Sequence, residues 1–211
     1  MRLSGKPQWC SWGPEGFAGL LEHTTDLSAI AGKRTLVLLD EQNLSISARQ
    51  LGYRLDYGRL ARGIRSAAQA ADLHLFMAVD QDAGREMLEL KGQGYTVHAK
   101  TIRRIPLPGG RYRADTNVDN LFAFWTGLFA VKAGFCEVLM FGSGDYGLAG
   151  ELAQAIKAGS RRRLPHVMTL SLPGSTSQDL DAHKNPHIKA NLEIGLDLME
   201  PVSDLARRLG A

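Results

Sequence analysis

Three aspartates in separate segments of the chain have the side chains to do chemistry together. Asp40 ends one apolar run, Asp119 lies in a later helical segment, and Asp145 follows another apolar run. Carboxylates gathered without cationic partners repel one another, and a divalent cation relieves that repulsion. Because every donor atom would be an oxygen, Mg²⁺ or Mn²⁺ suits such a group better than Zn²⁺. A metal ion held there could activate water and stabilise the charge of a phosphodiester in its transition state.

Polar residues near these acids could complete the group. Asn43, three residues after Asp40, could orient a ligand or hold a phosphate. Ser143 could cap the helix predicted after it, and the N-terminus of a helix favours anions. Asp115 lies four residues before Asp119 and could add a fourth carboxylate one helical turn away, although capping that helix is the simpler role for it.

Alternating segment types indicate the fold that must position these residues. Five apolar segments have the character of buried strands, and helical patterns separate them. The predicted strands span residues 34–40, 73–80, 95–102, 137–145 and 166–172, with a further short strand near 190–198. This alternation predicts a Rossmann-like, doubly wound α/β fold with three layers, in which a parallel sheet of about five strands lies between helices. Ligand sites in such open sheets form beyond the carboxyl ends of the strands, where Asp40 and Asp145 are predicted.

Residues 1–33 differ in composition from the rest of the chain. They include Pro, Gly and two tryptophans, Trp9 and Trp12, without a clear hydrophobic periodicity. We predict an N-terminal arm that packs on a single domain of residues 34–211, with the two indole rings as anchors. A chain of 211 residues is long enough for one such domain.

Composition narrows the class of protein. The net charge of +3 permits a nucleic acid as partner without requiring one. The two cysteines, Cys10 and Cys136, are too few and too far apart for a disulfide framework or a zinc site, as is usual in a reducing compartment. The longest apolar stretch, roughly 121–131, is too short to span a bilayer. We therefore predict a cytoplasmic protein without a membrane partner, and a homodimer is compatible with these features.

A basic segment precedes Asp115. Its basic residues are His98, Lys100, Arg103, Arg104, Arg111 and Arg113. Prolines and glycines mark a turn in its middle, which predicts a hairpin-like flap beside the acidic group. Such cations neutralise phosphates, and Tyr112 and Tyr146 could stack on bases. The flap and Ser143 are therefore predicted to bind RNA, and the alternative is a solvated surface loop.

Four segments resemble motifs of the NYN branch of PIN-like domains. The segment LVLLDEQNL is similar to the opening strand, NVDNLFAFW to the helical VD segment, VLMFGSGDYGLAGEL to the SGD strand and helix, and STSQDL to the closing pattern. The similarity spans roughly residues 35–198. It implies a Rossmann-like sheet, ribonuclease activity that depends on Mg²⁺ or Mn²⁺, and RNA as substrate. It matches Asp40, Asp119 and Asp145 to the metal-binding acids and Asn43 to the motif asparagine.

The chain departs from this family at two auxiliary acids. Gly147 stands where the family commonly has a second aspartate, and residues 124–126 are uncharged where its helix often carries an acid. Asp115 or Glu41 could make up the difference. Two hypotheses follow, a metal-dependent endoribonuclease or a catalytically weakened module that binds RNA or protein.

Phosphotransfer through Asp40 is a third class of function, and the sequence disfavours it. Gln42 stands where a haloacid-dehalogenase phosphatase needs a second aspartate, and the late strand lacks the lysine of a receiver domain. A mononucleotide site is disfavoured as well, because no Gly-rich phosphate loop follows the first predicted strand.

Overall fold

A computed structural model describes the protein over residues 24–80, 82–115, 118–132, 136–143 and 165–202, without the side chains of 113–115, 130–132 and 178. Its strands are β1 (Arg34–Asp40), β2 (Tyr53–Leu55), β3 (Ala70–Val79), β4 (Thr96–Thr101), β5 (Arg103–Leu107), β6 (Arg111–Asp115), β7 (Val138–Gly142), β8 (His166–Ser171), β9 (Ala190–Glu193) and β10 (Met199–Pro201). Its α-helices are α1 (Glu41–Gln50), α2 (Tyr57–Ala67), α3 (Gly84–Gly92) and α4 (Asp119–Lys132).

The central sheet has six strands in the order β4-β3-β1-β7-β8-β9, and every neighbouring pair is parallel. The chain moves from β1 outwards to β3 and β4, and then returns to the other side of β1 to form β7, β8 and β9. The predicted Rossmann-like parallel sheet is confirmed, and the short strand indicated near 190–198 is its sixth strand, β9. The direction of winding reverses between β1 and β7, which makes that pair the topological switch point of the sheet.

Both faces of the sheet are buried, and alternate side chains of β1 enter separate cores. Val37 and Leu39 pack in the core under α1, α2 and α3, whereas Leu36 and Leu38 pack in the core under α4. This two-sided burial explains why β1 reads as a continuous apolar run rather than an alternating one. It also produces the three layers that the sequence predicts.

The described part of the N-terminal arm packs against the domain. Ile30 is fully buried in the core under α1, α2 and α3. Thr25 donates hydrogen bonds from its backbone N–H and its hydroxyl to Asp197 Oδ1, both at 2.9 Å, and accepts one from the backbone N–H of Gly195. Trp9 and Trp12 lie outside the described residues. Among the helices that are described, none is both long and apolar enough to cross a membrane.

The basic segment forms an antiparallel hairpin of β5 and β6. Asp115 is the last residue of β6 and pairs in register with Arg103, and α4 begins only at Asp119. The prediction that Asp115 caps this helix is therefore wrong, as is its placement one helical turn before Asp119. The reason is that cross-strand pairing extends the hairpin to Asp115, and the sequence does not reveal how far such pairing runs.

Candidate functional site

The switch point brings Asp40 and Ser143 to the ends of adjacent strands. Leu39 is opposite Gly142 in the register of β1 and β7, and Asp40 and Ser143 are the next residues along. By the alternation along each strand, both lie on the face that α4 covers. Asp40 is only 7% exposed and Ser143 is fully buried. Ser143 therefore has no surface with which to contact RNA directly in this arrangement, although it lies beside the candidate acid.

Gly142 packs closely against its register partner on β1. A Cβ atom at Gly142 would collide with the side chain of Leu39 and would lie 3.3 Å from both Leu39 Cα and Leu44 Cδ1. A larger residue must therefore displace the Leu39 side chain and crowd Leu44 of α1, next to the strand ends that carry Asp40 and Ser143.

The Asp40 carboxylate also has a structural role. Its Oδ1 accepts a hydrogen bond of 3.1 Å from the backbone N–H of Asn43, so Asp40 is the N-cap of α1. A carboxylate can accept several hydrogen bonds or ligands, so capping does not exhaust its capacity. The bond fixes the orientation of the carboxylate and links Asp40 to Asn43 through the main chain. The predicted contact of the Asn43 side chain with a phosphate stays a prediction.

Helix α4 brings Asp119 to the same end of the sheet. Phe122 is buried, and its ring centroid lies 4.8 Å from that of Phe76 and 6.0 Å from that of Phe141. Phe76 is the register partner of Asp40, so the first turn of α4 lies over the carboxyl ends of β1, β3 and β7. Asp119 is the first residue of that turn and is exposed.

The predicted metal ligands are only partly described. Within the described ranges, no group of three or more His, Cys, Asp or Glu residues is arranged to hold a metal ion. Asp145 and the side chain of Asp115 lie outside those ranges. The set Asp40, Asp119, Asp145 and Asp115 therefore stays a prediction, of which the structure places Asp40 and Asp119 at one end of the sheet.

Glu41 lies in a different layer from this group. Its carboxylate accepts a hydrogen bond from the Ser45 hydroxyl, and its carbonyl oxygen lies 3.4 Å from the Tyr57 hydroxyl that donates to it. Burial raises the pKa of Glu41, and the Glu86 carboxylate raises it further, against the Ser45 hydrogen bond. The Glu41 side chain thus faces Ser45 and α2. Burial raises the pKa of Tyr57, and the carboxylates of Glu41 and Asp40 both raise it further. Glu41 as a replacement for a missing acid beside Asp40 stays a prediction.

The hairpin divides the predicted RNA-binding cations between its two sides. Cross-strand partners lie on the same side, so Arg104 shares one side with Pro106 and Tyr112, whereas Arg103 and Arg111 lie on the other. Every hairpin residue from 103 to 112 is exposed. Arg104 Nη2 lies 4.0 Å from Asp80 Oδ1 at the end of β3, so the side of Arg104 faces the carboxyl edge of the sheet. The side chain of Arg113 is not described.

An aromatic cluster that the sequence does not predict lies beside these residues. The His98 ring stacks on Phe76 at 4.6 Å, and the Trp125 ring lies 4.4 Å from it. His98 Nε2 is also 2.8 Å from His74 Nδ1. Asp40, Phe76 and His98 form one row across β1, β3 and β4 on the α4 face. The sequence signal for this cluster is one histidine in each of two neighbouring predicted strands, His74 and His98, and the prediction of His98 as a basic RNA-binding residue overlooks it.

His98 is not a cation at neutral pH. Burial lowers its pKa to about 4, the neighbouring His74 ring lowers it too, and the Asp72 carboxylate opposes both. Asp72 Oδ1 lies 3.2 Å from His74 Nε2. The geometry of this contact is not that of a hydrogen bond, and His74 Nε2 has no other hydrogen-bond partner among the described residues. The imidazole of His98 therefore acts as a neutral aromatic ring.

Acid should weaken the fold through His98. His98 binds its proton near pH 6.5 in the unfolded chain and near pH 4 in the folded chain. The free energy of unfolding is therefore expected to fall as the pH falls from 6.5 to 4. His98→Gln should flatten this dependence in urea-unfolding measurements across the window. His183→Gln, at an exposed histidine, is the matched control and should keep the wild-type slope. Equal slopes for wild type and His98→Gln would contradict the assignment.

Comparisons with known proteins support the fold. No protein-family model matches the sequence, and no curated protein matches it either. The chain is similar to the crystal structure of a protein of unknown function from Vibrio parahaemolyticus, with a TM-score of 0.61 and 18% sequence identity. The alignment covers 80% of this chain and 97% of that one. At this identity the likeness shows a shared α/β fold and carries no information about activity.

Proposed function

We propose that the protein is a metal-dependent endoribonuclease of the NYN branch of PIN-like domains, acting on RNA in the cytoplasm. The observation that supports this best is the switch point between β1 and β7. Asp40 and Ser143 end these adjacent strands on the α4 face, and α4 brings Asp119 to the same edge. Open α/β sheets bind their ligands at this point.

The chemistry of the donor set suits a hard divalent cation. In this proposal Asp40, Asp119 and Asp145 hold Mg²⁺ or Mn²⁺, with Asp115 as a fourth carboxylate, because these ions prefer oxygen ligands. When bound, the ion supplies an activated water and stabilises phosphodiester charge. The hydrogen bond to the Asn43 N–H holds the Asp40 carboxylate in one orientation before any ligand arrives. Such preorganisation lowers the cost of assembling a charged site.

The hairpin supplies charge to hold the substrate. Arg103, Arg104 and Arg111 are exposed on it, and Lys100 lies just before it on the α4 face of β4. Cations placed in this way neutralise phosphates and make RNA affinity depend on salt. Arg104 also approaches Asp80 at the carboxyl edge, which directs one side of the hairpin towards the proposed site.

Removal of the metal tests the proposal. Purified protein with Mn²⁺ or Mg²⁺ is expected to cleave a labelled RNA, and EDTA should lower the rate by at least about a hundredfold, since the ion contributes several kcal/mol to the transition state. Restoring Mn²⁺ should recover the rate, and a mock-treated sample is the control. Cleavage that persists in EDTA would rule out this function. So would a complete lack of cleavage in both Mn²⁺ and Mg²⁺.

A catalytically weakened module is the second candidate. The specific observation that favours it is the use of the Asp40 carboxylate as a helix cap, which alone explains an aspartate at this position. A Mn²⁺ titration followed by electron paramagnetic resonance separates the two. Absence of ion binding together with intact RNA binding would establish the weakened module.

A further inference from the structure

We propose that His98, Trp125 and Phe124 form a stacking platform for the bases of single-stranded RNA. This surface lies between α4 and the edge strand β4, and we refer to it as the β4 platform. The inference rests on the proposed function only in taking RNA as the partner.

The β4 platform keeps aromatic surface in contact with solvent. Phe124 is 65% exposed, and its ring meets that of Trp125 edge-on at 6.0 Å. Trp125 and His98 are only partly buried. Leu121 and Leu128 are also partly buried, and their helical spacing places them on the same side of α4 as Trp125. Leu121 and Trp125 also pack against the core, so Phe124 extends a partly covered apolar surface into solvent.

Cations lie close to these rings. Lys100 is two residues after His98 on β4, so both side chains lie on the α4 face about 7 Å apart along the strand. The hairpin follows β4 directly, and its Arg104 reaches Asp80 at the carboxyl edge of the neighbouring strand β3. Aromatic rings beside a cationic track are the recurring means of binding single-stranded nucleic acid, because bases stack while phosphates are neutralised.

The β4 platform is near the proposed catalytic acids. Asp40, Phe76 and His98 are register partners in one row, so His98 lies two strand spacings from Asp40, or about 10 Å. Phe76 between them is covered by Phe122. Phe76 is fully buried, so His98 is the first ring of this row that contacts solvent.

The geometry favours an unpaired strand as the occupant. The bases of a duplex are stacked within it and cannot lie on protein rings, whereas unpaired bases can. A second copy of this chain is the other candidate, since edge strands and apolar helices often form dimers. A second copy would bring Lys100 and Arg104 towards the same cations here, and like charges oppose such contact. The phosphates of a single strand could instead pair with these cations.

Binding without cleavage tests the inference. In EDTA, Phe124→Ala is expected to weaken binding of a labelled single-stranded RNA about tenfold, in line with the loss of one base stack, without changing the salt dependence. Phe124→Trp should restore affinity. Leu88→Ala removes another exposed apolar side chain, 70% exposed on α3, and should bind as wild type. The same RNA annealed to its complement should bind wild type and Phe124→Ala equally.

Several outcomes would overturn the β4 platform. The first is an affinity of Phe124→Ala for single-stranded RNA equal to that of wild type, and the second is an equal loss of affinity in Leu88→Ala. The others are an equal loss of affinity of Phe124→Ala for the duplex, and a wild-type protein that does not bind RNA. Sedimentation of wild type and Phe124→Ala covers the remaining case, because a dimer that the substitution dissociates would identify a self-association face instead. Absence of cleavage with RNA binding intact would end the nuclease proposal and leave the platform standing.

Discussion

Asp40→Asn is expected to lower metal-dependent RNA cleavage by at least about a hundredfold, because the substitution removes one negative charge from the proposed metal site. Asparagine is as good an N-cap as aspartate, so it can still accept the hydrogen bond from the Asn43 N–H. Stability should therefore stay within about 0.5 kcal/mol of wild type. Asp40→Ala should lose activity to the same extent and about 1 kcal/mol of stability as well, because it removes the cap.

Asp56 offers a matched control for this experiment. Asp56 Oδ1 accepts a hydrogen bond of 2.8 Å from the Arg59 N–H and caps α2 in the same way, in the layer that faces away from α4. Asp56→Asn should leave the cleavage rate unchanged. The measurements are initial rates with labelled RNA in Mn²⁺ and thermal melts of each variant. If Asp40→Asn cleaves at the wild-type rate, Asp40 is a helix cap alone.

Phe122→Ala is expected to destabilise the fold by about 3–5 kcal/mol, because the substitution leaves a cavity where a large ring was enclosed. Phe122 is 1% exposed and packs between Phe76 and Phe141. It joins the first turn of α4, which begins at Asp119, to β3 and β7 of the sheet. Urea unfolding of the full chain measures the effect.

Phe124 provides the control on the same helix. Because its ring is largely exposed, Phe124→Ala should change stability by no more than about 0.5 kcal/mol. If Phe122→Ala does not fold, Phe122→Leu keeps most of the volume and should show a smaller loss of the same sign. Equal stabilities for the Phe122 and Phe124 variants would show that α4 does not pack as described.

Most of the sheet could be predicted because buried parallel strands have a local signature. The segments that form β1, β3, β7 and β8 are apolar runs between helical patterns, whereas β4 is a mixed segment at the sheet edge. Each lies within a few residues of its predicted position. β9 was indicated only weakly, since four residues carry little periodicity. The prolines and glycines of the hairpin predict its turn.

Single polar residues were harder to interpret from the sequence. An aspartate suits a strand end, a helix cap and a metal site equally well. The sequence therefore misplaces Asp115, and it does not reveal that Asp40 caps α1. A histidine among arginines resembles a cation, yet burial against Phe76 and Trp125 makes His98 neutral. The direction of Glu41 depends on how α1 packs on α2, which no local pattern encodes.

Local patterns along the chain predict the alternation of strands and helices, the acid at the end of β1 and the basic hairpin, because these depend on the periodicity and conformational preferences of neighbouring residues. The pairing of β7 with β1, the position of Asp119 at the same edge, and the stacking of Phe76, His98 and Trp125 are visible only in the folded molecule. These contacts join residues far apart along the chain, and the packing of whole faces selects them.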